Sequence, residues 1–422
     1  MKYVHVDDLE EGMVLASDLG GPGGRVMLQK GAVIKEKYLR SLKVWGISGA
    51  YVESDEEERE SQDATPSFSG LPDDQVEAIY AFLSLRGGKN LSQGHPMVKE
   101  LFRIVAERMA QEAVSSGGVF RGQTPLPERP PIYLPRKENL TLEGLLRNPQ
   151  KLFSLPDIYF KIKQVLESPK SSAAHIAEVV EKDTSLSAKL LQIVNSALYG
   201  FPSRIDTIAR AVTIIGSREL ASLSLAVSVT DLFKGIPKAF VDMRSFWEHS
   251  VATGVFARVL ADRIGAKKEE DRLFVGGVLH DIGRIFLFRH APAEMADAMA
   301  LALQKKIPLL EAEHEEMGFS HALVGGKLLE QWKIPKALWD PVRYHHLPDK
   351  AENEVMASVL HVADFMANLL SLGSGGSWFY PPFSEKAWDV LGLEASEVEH
   401  VVLQGERQLK EVLQVFVKAP EA

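Results

Sequence analysis

The chain is predicted to be mostly α-helical, with a multi-helix bundle that follows a small α+β module at the N-terminus. From about residue 140 to the C-terminus, apolar residues recur at three- and four-residue spacing and strand signals are few. Before residue 54, short β-like runs alternate with glycine-rich turns. With 422 residues, 45% hydrophobic and 25% charged, the composition is ordinary for a globular protein. The length favours about two to four domains.

The first third of the chain is predicted to contain two ordered segments and two connectors. In the module 1–53, strands are expected at 12–15, 26–28 and 50–52, with a short helix near 36–42. Residues 54–70 are acidic and serine-rich, as in a solvated linker that buries little apolar surface. The helical pattern of 71–115 is followed by a proline-rich connector over 116–139.

The rest of the chain is predicted to form two helical subdomains, 140–235 and 236–372, and a C-terminal part, 373–422. Residues 371–383 form a Gly/Ser loop that runs into an aromatic and proline cluster. This pattern indicates either a loop pinned by its aromatic residues or a lid or docking loop. A terminal helix from 395 to about 417 is expected to pack on the bundle or to pair two copies in a homodimer.

Charge and cysteine content exclude several classes of function. A net charge of −9 and a pI of about 5.8 argue against a general nucleic-acid or anionic-membrane surface. Because the chain has no cysteine, disulfides and thiolate metal sites are excluded, and nitrogen and oxygen must hold any metal. With no apolar run near 18 residues and no signal peptide pattern, a cytoplasmic protein is expected.

The region from about 150 to 370 resembles the HDOD family, the HD-related output domain of bacterial signalling proteins. The resemblance is carried by Leu-Pro at 155–156, Asp-x-x-Leu at 183–186, Leu-Leu-x-x-Val-Asn-Ser-Ala at 190–197 and Ala-x-x-x-Ile-Gly at 211–216. Thr184 departs from the proline usual in that turn. Asp183 is a predicted helix N-cap, and Asn195 and Ser196 either form helix-terminal hydrogen bonds or contact a ligand.

Histidines are concentrated in one part of the chain, since eight of the twelve lie between residues 249 and 361. Among them, His280 and Asp281 are adjacent at the end of an apolar helix face, where they can bind one divalent cation together. The segment 245–370 is similar to HD-domain phosphohydrolases and their HD-GYP relatives. That resemblance implies a site with two divalent ions of Fe, Mn, Zn or Mg, held by His249, His280, Asp281, His321, His345, His346 and Asp364. Packing of these histidines without metal is the alternative.

The resemblance also implies catalytic roles for two residues. Asp281 would bridge the ions and steer water, and Arg284 takes the place of the lysine usual after His-Asp-x-Gly. Arg284 is expected either to bind a phosphoryl group or to pair with a nearby acid. His361 precedes Asp364 by three residues, so it is expected to support Asp364 from the same helix face. Leu347 follows His346 where that group has Gly-Tyr-Pro, which argues against cyclic di-GMP cleavage.

The sequence therefore predicts a bacterial HDOD signalling protein that has an HD-type divalent-metal site and acts mainly through regulated interactions. Residues 1–53 resemble the segment that often precedes the catalytic part of HD-GYP proteins. The expected partners are signalling proteins in trans and a nucleotide second messenger, with no direct nucleic acid and no membrane. The alternative is an active metal-dependent phosphohydrolase that cleaves a cyclic dinucleotide or another phosphoester.

Overall fold

A computed structural model gives the fold in two compact units, Met1–Pro66 and Ser67–Ala422. The residues it describes are 2–5, 9–16, 19–20, 26–35, 38, 49–52, 72–87, 94–115, 136–137, 140–147, 157–168, 172–230 and 236–416. The linker predicted over 54–70 lies outside these residues, as does most of the connector predicted over 116–139. The finer subdivision of the second unit stays a prediction.

The unit Met1–Pro66 contains two antiparallel strand pairs. Strand β1 (Lys2–His5) pairs with β4 (Gly49–Val52), and β2 (Leu19–Gly20) pairs with β3 (Val26–Leu28). The strands predicted at 26–28 and 50–52 are confirmed, whereas 12–15 forms isolated bridges. Of the helix predicted near 36–42, only Tyr38 belongs to the described residues. The small core consists of Leu9, Leu15, Leu19, Ile34, Ala50 and Val52.

In the unit Ser67–Ala422, the regular elements of the described residues are all helices, as predicted. Its first eight helices are α1 (Asp73–Gly87), α2 (Pro96–Ser115), α3 (Leu142–Leu145), α4 (Asp157–Glu167), α5 (Ala173–Glu181), α6 (Thr184–Val194), α7 (Ile208–Ile215) and α8 (Ser217–Val229). The others are α9 (Met243–Arg263), α10 (Glu270–Leu279), α11 (Ile282–His290), α12 (Pro292–Lys305), α13 (Leu309–Met317), α14 (His321–Gln331), α15 (Lys336–Arg343), α16 (Glu354–Leu369), α17 (Glu385–Leu391) and α18 (Val398–Phe416). Short 3-10 turns lie at Lys267–Glu269, Pro348–Lys350 and Ala395–Glu397.

The two ends of helix α6 are capped by the residues that the sequence indicated. The Asp183 carboxylate accepts a hydrogen bond from Leu186 N at 2.9 Å, which confirms the predicted N-cap. At the other end, Asn195 donates from Nδ2 to the carbonyls of Leu191 and Ile205 and accepts from Ile205 N, each at 2.7 Å. Ser196 Oγ donates to Ile193 O. These two polar residues therefore form helix-terminal hydrogen bonds.

Pairs of glycines let the central helices approach at backbone contact. A Cβ at Gly277 of α10 would overlap Gly254 Cα and N of α9. A Cβ at Gly283 of α11 would overlap His321 O and lie 2.7 Å from Gly325 N, both in α14. Larger residues would separate these helices, because helix packing distance depends on the side chains at the crossing. The glycines thus allow the helices that carry the histidines to lie close together.

The C-terminal helix α18 packs on the bundle, one of the two alternatives expected for it. It presents a buried face to α9, and Gly405 lies so close to Phe256 that a Cβ would overlap the ring. The buried apolar residues of this face include Val398, Val401, Val402, Leu409 and Val412.

Within the described residues, no individual helix combines the length and the apolar character needed to span a membrane. Helices α7 and α8 meet both criteria only when taken together, and they are bent by 117° relative to each other.

Candidate metal centre

The fold brings together all of the residues that the sequence predicted as metal ligands. His249 lies in the second turn of α9, His321 is the first residue of α14, and Asp364 lies in α16. His345 and His346 follow the end of α15, where the chain turns. His280 and Asp281 were expected late in one helix, but they occupy the junction where α10 ends at Leu279 and α11 begins at Ile282. This break exposes both side chains to one interior space.

One group of ligand atoms surrounds Asp364 and one oxygen of Asp281. His249 Nε2 lies 3.1 Å from Asp364 Oδ1 and 3.9 Å from Asp281 Oδ2. His280 Nε2 lies 3.4 Å from each of the same two oxygens. All four side chains are buried. Two imidazole nitrogens and two carboxylates at these separations form a donor set that suits a divalent cation.

A second group surrounds the other oxygen of Asp281. His321 Nε2 lies 3.1 Å from Asp281 Oδ1 and 3.1 Å from His346 Nε2. The rings of His345 and His346 lie with centroids 3.9 Å apart, and one nitrogen of each of His321, His345 and His346 lies within 4.8 Å of the other two. His345 also lies within the same distance of His280 and Asp364, so it stands between the two groups. The two carboxylate oxygens of Asp281 therefore face different groups of histidines.

Backbone carbonyls fix which nitrogen of two histidines faces the interior. His280 Nδ1 lies 2.7 Å from Gly277 O, and His345 Nδ1 lies 2.6 Å from Val342 O. Because a carbonyl oxygen only accepts, each Nδ1 carries a hydrogen and each Nε2 is turned towards the other predicted ligands. Both Nε2 atoms are buried and make no aligned hydrogen bond to any described residue. Buried imidazole nitrogens that converge without an aligned partner are what a bound cation would satisfy.

The charges of the site also favour a cation. Burial by itself raises the pKa of Asp281, but Arg284 and His280 outweigh it and hold that pKa well below its usual range. The pKa of Asp364 is likewise lowered, against the effect of burial, by the neighbouring imidazoles of His249 and His280. Burial alone would lower the pKa of His280, but Asp281 and Asp364 raise it to about 10, so a cation bound at His280 Nε2 would take the place of a proton.

The pKa of His345 is lowered, whereas that of His280 is raised. Burial lowers its pKa to about 3, and the neighbouring charge on His280 acts in the same direction. A proton therefore does not occupy the His345 Nε2 lone pair at neutral pH, so this nitrogen stays available to a metal. The donor set, the burial and the unsatisfied lone pairs together fit a metal ion.

Arg284 forms the ion pair that was one of its two expected roles. Its Nη1 lies 2.7 Å from Asp281 Oδ2 and donates to Gly375 O at 3.3 Å. Its Nε lies 3.7 Å from Glu313 Oε1. The guanidinium is buried in this arrangement. A role for Arg284 on a phosphoryl group stays a prediction.

Glu313 is a site residue that the sequence analysis missed. It is fully buried, and its Oε2 lies 2.6 Å from His321 Nδ1 and accepts from His321 N at 2.8 Å. It thereby fixes the His321 ring with Nε2 towards Asp281. The signal in the sequence was its place on α13, midway between Leu309 and Met317 at four-residue spacing, because this is the buried face of the helix.

The predicted support of Asp364 by His361 is wrong. His361 Nδ1 donates to His345 O at 2.8 Å, and its Nε2 accepts from Ser384 N at 2.9 Å. Instead, Asn368 Nδ2 donates to Asp364 Oδ1 at 2.7 Å. Helical side chains lean towards the helix N-terminus, so Asn368 reaches back to Asp364 whereas His361 leans away from it.

Comparison with known proteins identifies the region that carries most of these ligands. Residues 152–348 match the family model described as the HDOD domain. A protein of Treponema pallidum (strain Nichols) described as uncharacterized is 26% identical over 211 residues. That match covers 50% of this chain and 40% of the Treponema protein, so the chain spans less than half of that relative's length.

Two solved structures share the fold. An HDOD domain protein of unknown function from Geobacter sulfurreducens is 25% identical, with a TM-score of 0.51, over 65% of this chain and 97% of that protein. A protein of Shewanella amazonensis SB2B described as a candidate phosphohydrolase is 22% identical, with a TM-score of 0.50, over 64% and 98% of the two chains. The helical fold expected from the sequence is thus confirmed. Residues 152–348 of this chain are an HDOD domain.

Proposed function

We propose that this HDOD protein holds two divalent cations in an HD-type centre and acts as a signalling module through regulated interactions with other proteins. The observation that carries the proposal is the position of Asp281. Its Oδ2 faces His249 and His280, and its Oδ1 faces His321. A carboxylate whose two oxygens meet two separate groups of imidazole nitrogens is arranged to bridge two ions.

One ion would be held by His249, His280, Asp281 and Asp364, and the other by Asp281, His321, His345 and His346. Imidazole nitrogens dominate this donor set. Imidazole suits iron and zinc, whereas magnesium prefers carboxylates and water. The composition of the site therefore favours iron or zinc over magnesium, with manganese between them.

The closed state of the centre supports a role in interaction rather than rapid turnover. Apart from the half-buried His346, the ligands are buried. The backbone at Gly375 lies against the carboxylate of Asp281 and accepts from Arg284. The guanidinium that a phosphoester would need is thus already paired. A signalling protein supplied in trans is the partner that this arrangement fits, because the metal would stabilise one conformation for recognition.

A second candidate function is hydrolysis of a phosphoester, and one observation favours it. Arg284 places a permanent positive charge beside Asp281, the residue between the two groups of ligands. A bound divalent cation supplies Lewis-acid polarisation of a phosphoryl oxygen. Arg284 can bind an anionic phosphoryl group with two parallel N–H bonds once its bond to Gly375 O is released. A cyclic dinucleotide or another phosphoester is the substrate class for this candidate.

Metal analysis tests the proposal directly. Protein purified without a histidine tag, and the variant Asp281→Ala, would be loaded with Fe²⁺, Mn²⁺ or Zn²⁺, desalted and measured by elemental mass spectrometry. About two equivalents are expected in the parent protein, and their loss in the variant, because each ion loses a shared ligand. The matched control is Asp389→Ala, which removes an exposed carboxylate from α17.

Two results would count against these proposals. Less than about a tenth of an equivalent in the parent protein after loading would refute the metal centre. Hydrolysis of bis(4-nitrophenyl) phosphate and of cyclic di-GMP would be followed on the same samples. Turnover that depends on both the metal and Asp281 would favour the second candidate over the first, and no turnover with full metal would favour the signalling role.

A further inference from the structure

The segment that joins α16 to α17 covers the metal-ligand residues. We name residues 371–380 of this segment the cover loop. Ser374 N donates to Ser245 O at 3.0 Å, which ties the loop to the first turn of α9. Gly375 O accepts from Arg284 Nη1 at 3.3 Å. The loop therefore lies between solvent and the carboxylate of Asp281.

Glycines allow this close approach. A Cβ at Gly373 would overlap Ser245 O and His249 N, and the φ of Gly373 is +71°. A Cβ at Gly375 would overlap Asp281 Oδ2 and Arg284 Nη1. Because glycine has no side chain, the backbone of the loop can lie in contact with His249 and Asp281. The loop has no side chain of its own in the site, so it can leave without removing a metal ligand.

A single arginine of α1 holds the cover loop on both sides of its glycines. Arg86 Nε donates to Trp378 O at 2.9 Å, and Arg86 Nη1 donates to Ser371 Oγ at 3.4 Å. Its guanidinium carbon lies 4.5 Å from the ring centroid of Tyr380 and 5.7 Å from that of Trp378. The carbonyl of Arg86 also accepts from Tyr380 N at 2.8 Å. Arg86 thus contacts the start and the end of the loop.

We propose that the cover loop is a gate over the metal centre and that Arg86 holds this gate shut. The inference rests on the proposed function, because it concerns access to the same centre. Opening the loop breaks the bond between Arg284 and Gly375 O and uncovers Asp281 Oδ2. Helix α1 is the first helix of the unit Ser67–Ala422, so a partner that displaces α1 withdraws Arg86 and opens the centre.

This arrangement explains how a buried centre communicates with partners. Apart from the half-buried His346, the ligands are buried and offer no surface, whereas α1 has exposed residues along its length. Arg86 joins the two by hydrogen bonds and by cation–π contacts, each of which is individually modest. Phe379 and Tyr380 are buried and anchor the end of the loop, so the part that opens is the glycine-containing stretch before them, and it can open without unfolding the bundle.

Two measurements on the full chain test the gate. Hydrogen–deuterium exchange of amides in 371–380 reports loop opening with or without metal. The rate at which 4-(2-pyridylazo)resorcinol removes Zn²⁺ reports access to the centre. Arg86→Ala is compared with Arg108→Ala, which removes an arginine of α2 whose ion pair with Glu406 lies outside the loop. Arg86→Lys keeps the charge but loses the planar pair of hydrogen bonds.

In Arg86→Ala, both the amide exchange of the loop and the rate of zinc removal are expected to rise at least about tenfold, while the zinc content stays at the parent value. Arg108→Ala is expected to match the parent protein, and Arg86→Lys to lie between the two. Gly375→Ala is a second variant that should open the loop by steric overlap and leave Arg86 unchanged. Unchanged exchange and unchanged zinc removal in both Arg86→Ala and Gly375→Ala would overturn the gate.

The two proposals fail in different ways. If the parent protein binds no metal, the two-cation centre is refuted, and the exchange of residues 371–380 alone shows whether Arg86 holds the loop. If metal is bound but neither Arg86→Ala nor Gly375→Ala changes the exchange of the loop or the rate of zinc removal, the centre stands and the gate is refuted. Faster exchange in α9 as well as in the loop would indicate global destabilisation, which also contradicts a local gate.

Discussion

Replacement of Gly277 by alanine should disturb stability and metal binding together, because this glycine sets the distance between α9 and α10. The added Cβ would overlap Gly254 Cα and N and would lie 2.8 Å from Thr253 C. All of these are backbone atoms, which cannot rotate away as a side chain can. Since α9 carries His249 and α10 leads into His280, the same crossing sets the separation of two predicted ligands.

The size of the effect follows from these separations. Ordinary contact between carbon atoms begins near 3.5 Å and the Cβ would lie 2.4 Å from Gly254 Cα, so the helices must separate by about 1 Å to accept the methyl group. Overpacking of this kind costs about 1–3 kcal/mol. The distances between a metal ion and its ligands vary by only about 0.2 Å between sites, so a shift of this size also lowers the affinity for the ion that His249 would bind. A fall in melting temperature of about 1–4 °C is expected for a unit of this size.

The adjacent residue provides a matched control in the same helix. A Cβ at Gly276 would meet only side-chain atoms, the nearest being Leu360 Cδ1 at 3.3 Å and Leu338 Cδ1 at 3.7 Å. Gly276→Ala should therefore melt within about 0.5 °C of the parent and keep its metal. Differential scanning calorimetry and elemental analysis of both variants make the comparison. Equal melting temperatures and equal metal content in Gly277→Ala and Gly276→Ala would refute the reasoning from the helix crossing.

Three further predictions concern residues that support the fold or the site. Glu313→Gln removes the negative charge that fixes the His321 ring. The affinity for zinc, measured by titration, is therefore expected to fall about 10- to 100-fold. An unchanged affinity would contradict the orienting role of Glu313. Burial and the charges of Lys137 and Arg289 lower the pKa of His290 from 6.5 to about 4. The folded state therefore favours the neutral ring, and the stability that this ring contributes is complete above pH 6.5 and is lost as the pH falls towards 4. The urea midpoint with EDTA present should therefore fall less between pH 7.5 and pH 5 in His290→Gln than in the parent, and an identical decrease would contradict this. Asn195→Ala loses the bonds to Leu191 and Ile205, and an unfolding free energy lower by about 1–2 kcal/mol is expected in urea titrations; a change below about 0.3 kcal/mol would count against it.

The controls for these predictions use residues of the same type. Gln331→Ala removes an amide side chain with one bond to Leu146 O, so it should cost less than Asn195→Ala. For the pH series, His175→Gln replaces an exposed histidine of α5 and controls for the histidine-to-glutamine change itself. Glu316→Gln, on the same helix as Glu313, removes a carboxylate that pairs with Arg136 and should leave zinc affinity at the parent value.

The sequence by itself determined the class of the fold and the identity of the clustered residues. Helical periodicity predicted the long helical region, and Asp183 marked the start of α6 by local hydrogen-bond chemistry alone. The spacing of the motifs indicated the HDOD resemblance that the family model confirms over 152–348. These features depend on neighbours within a few residues along the chain, so a pattern is sufficient to predict them.

Tertiary structure alone decided how the clustered residues are arranged. Glu313, Asn368 and Gly375 come from three separate elements, and the contacts of Glu313 and Gly375 with the site form only when distant segments pack. The sequence left two roles open for Arg284, an ion pair with an acid or the binding of a phosphoryl group. The ion pair with Asp281 and the bond to Gly375 O depend on where these two residues lie in space. The same packing places Arg86, nearly 300 residues earlier in the chain, against the loop that covers the site. Periodicity shows which face of a helix is buried, but the partner of that face is decided by packing between segments that are distant in sequence.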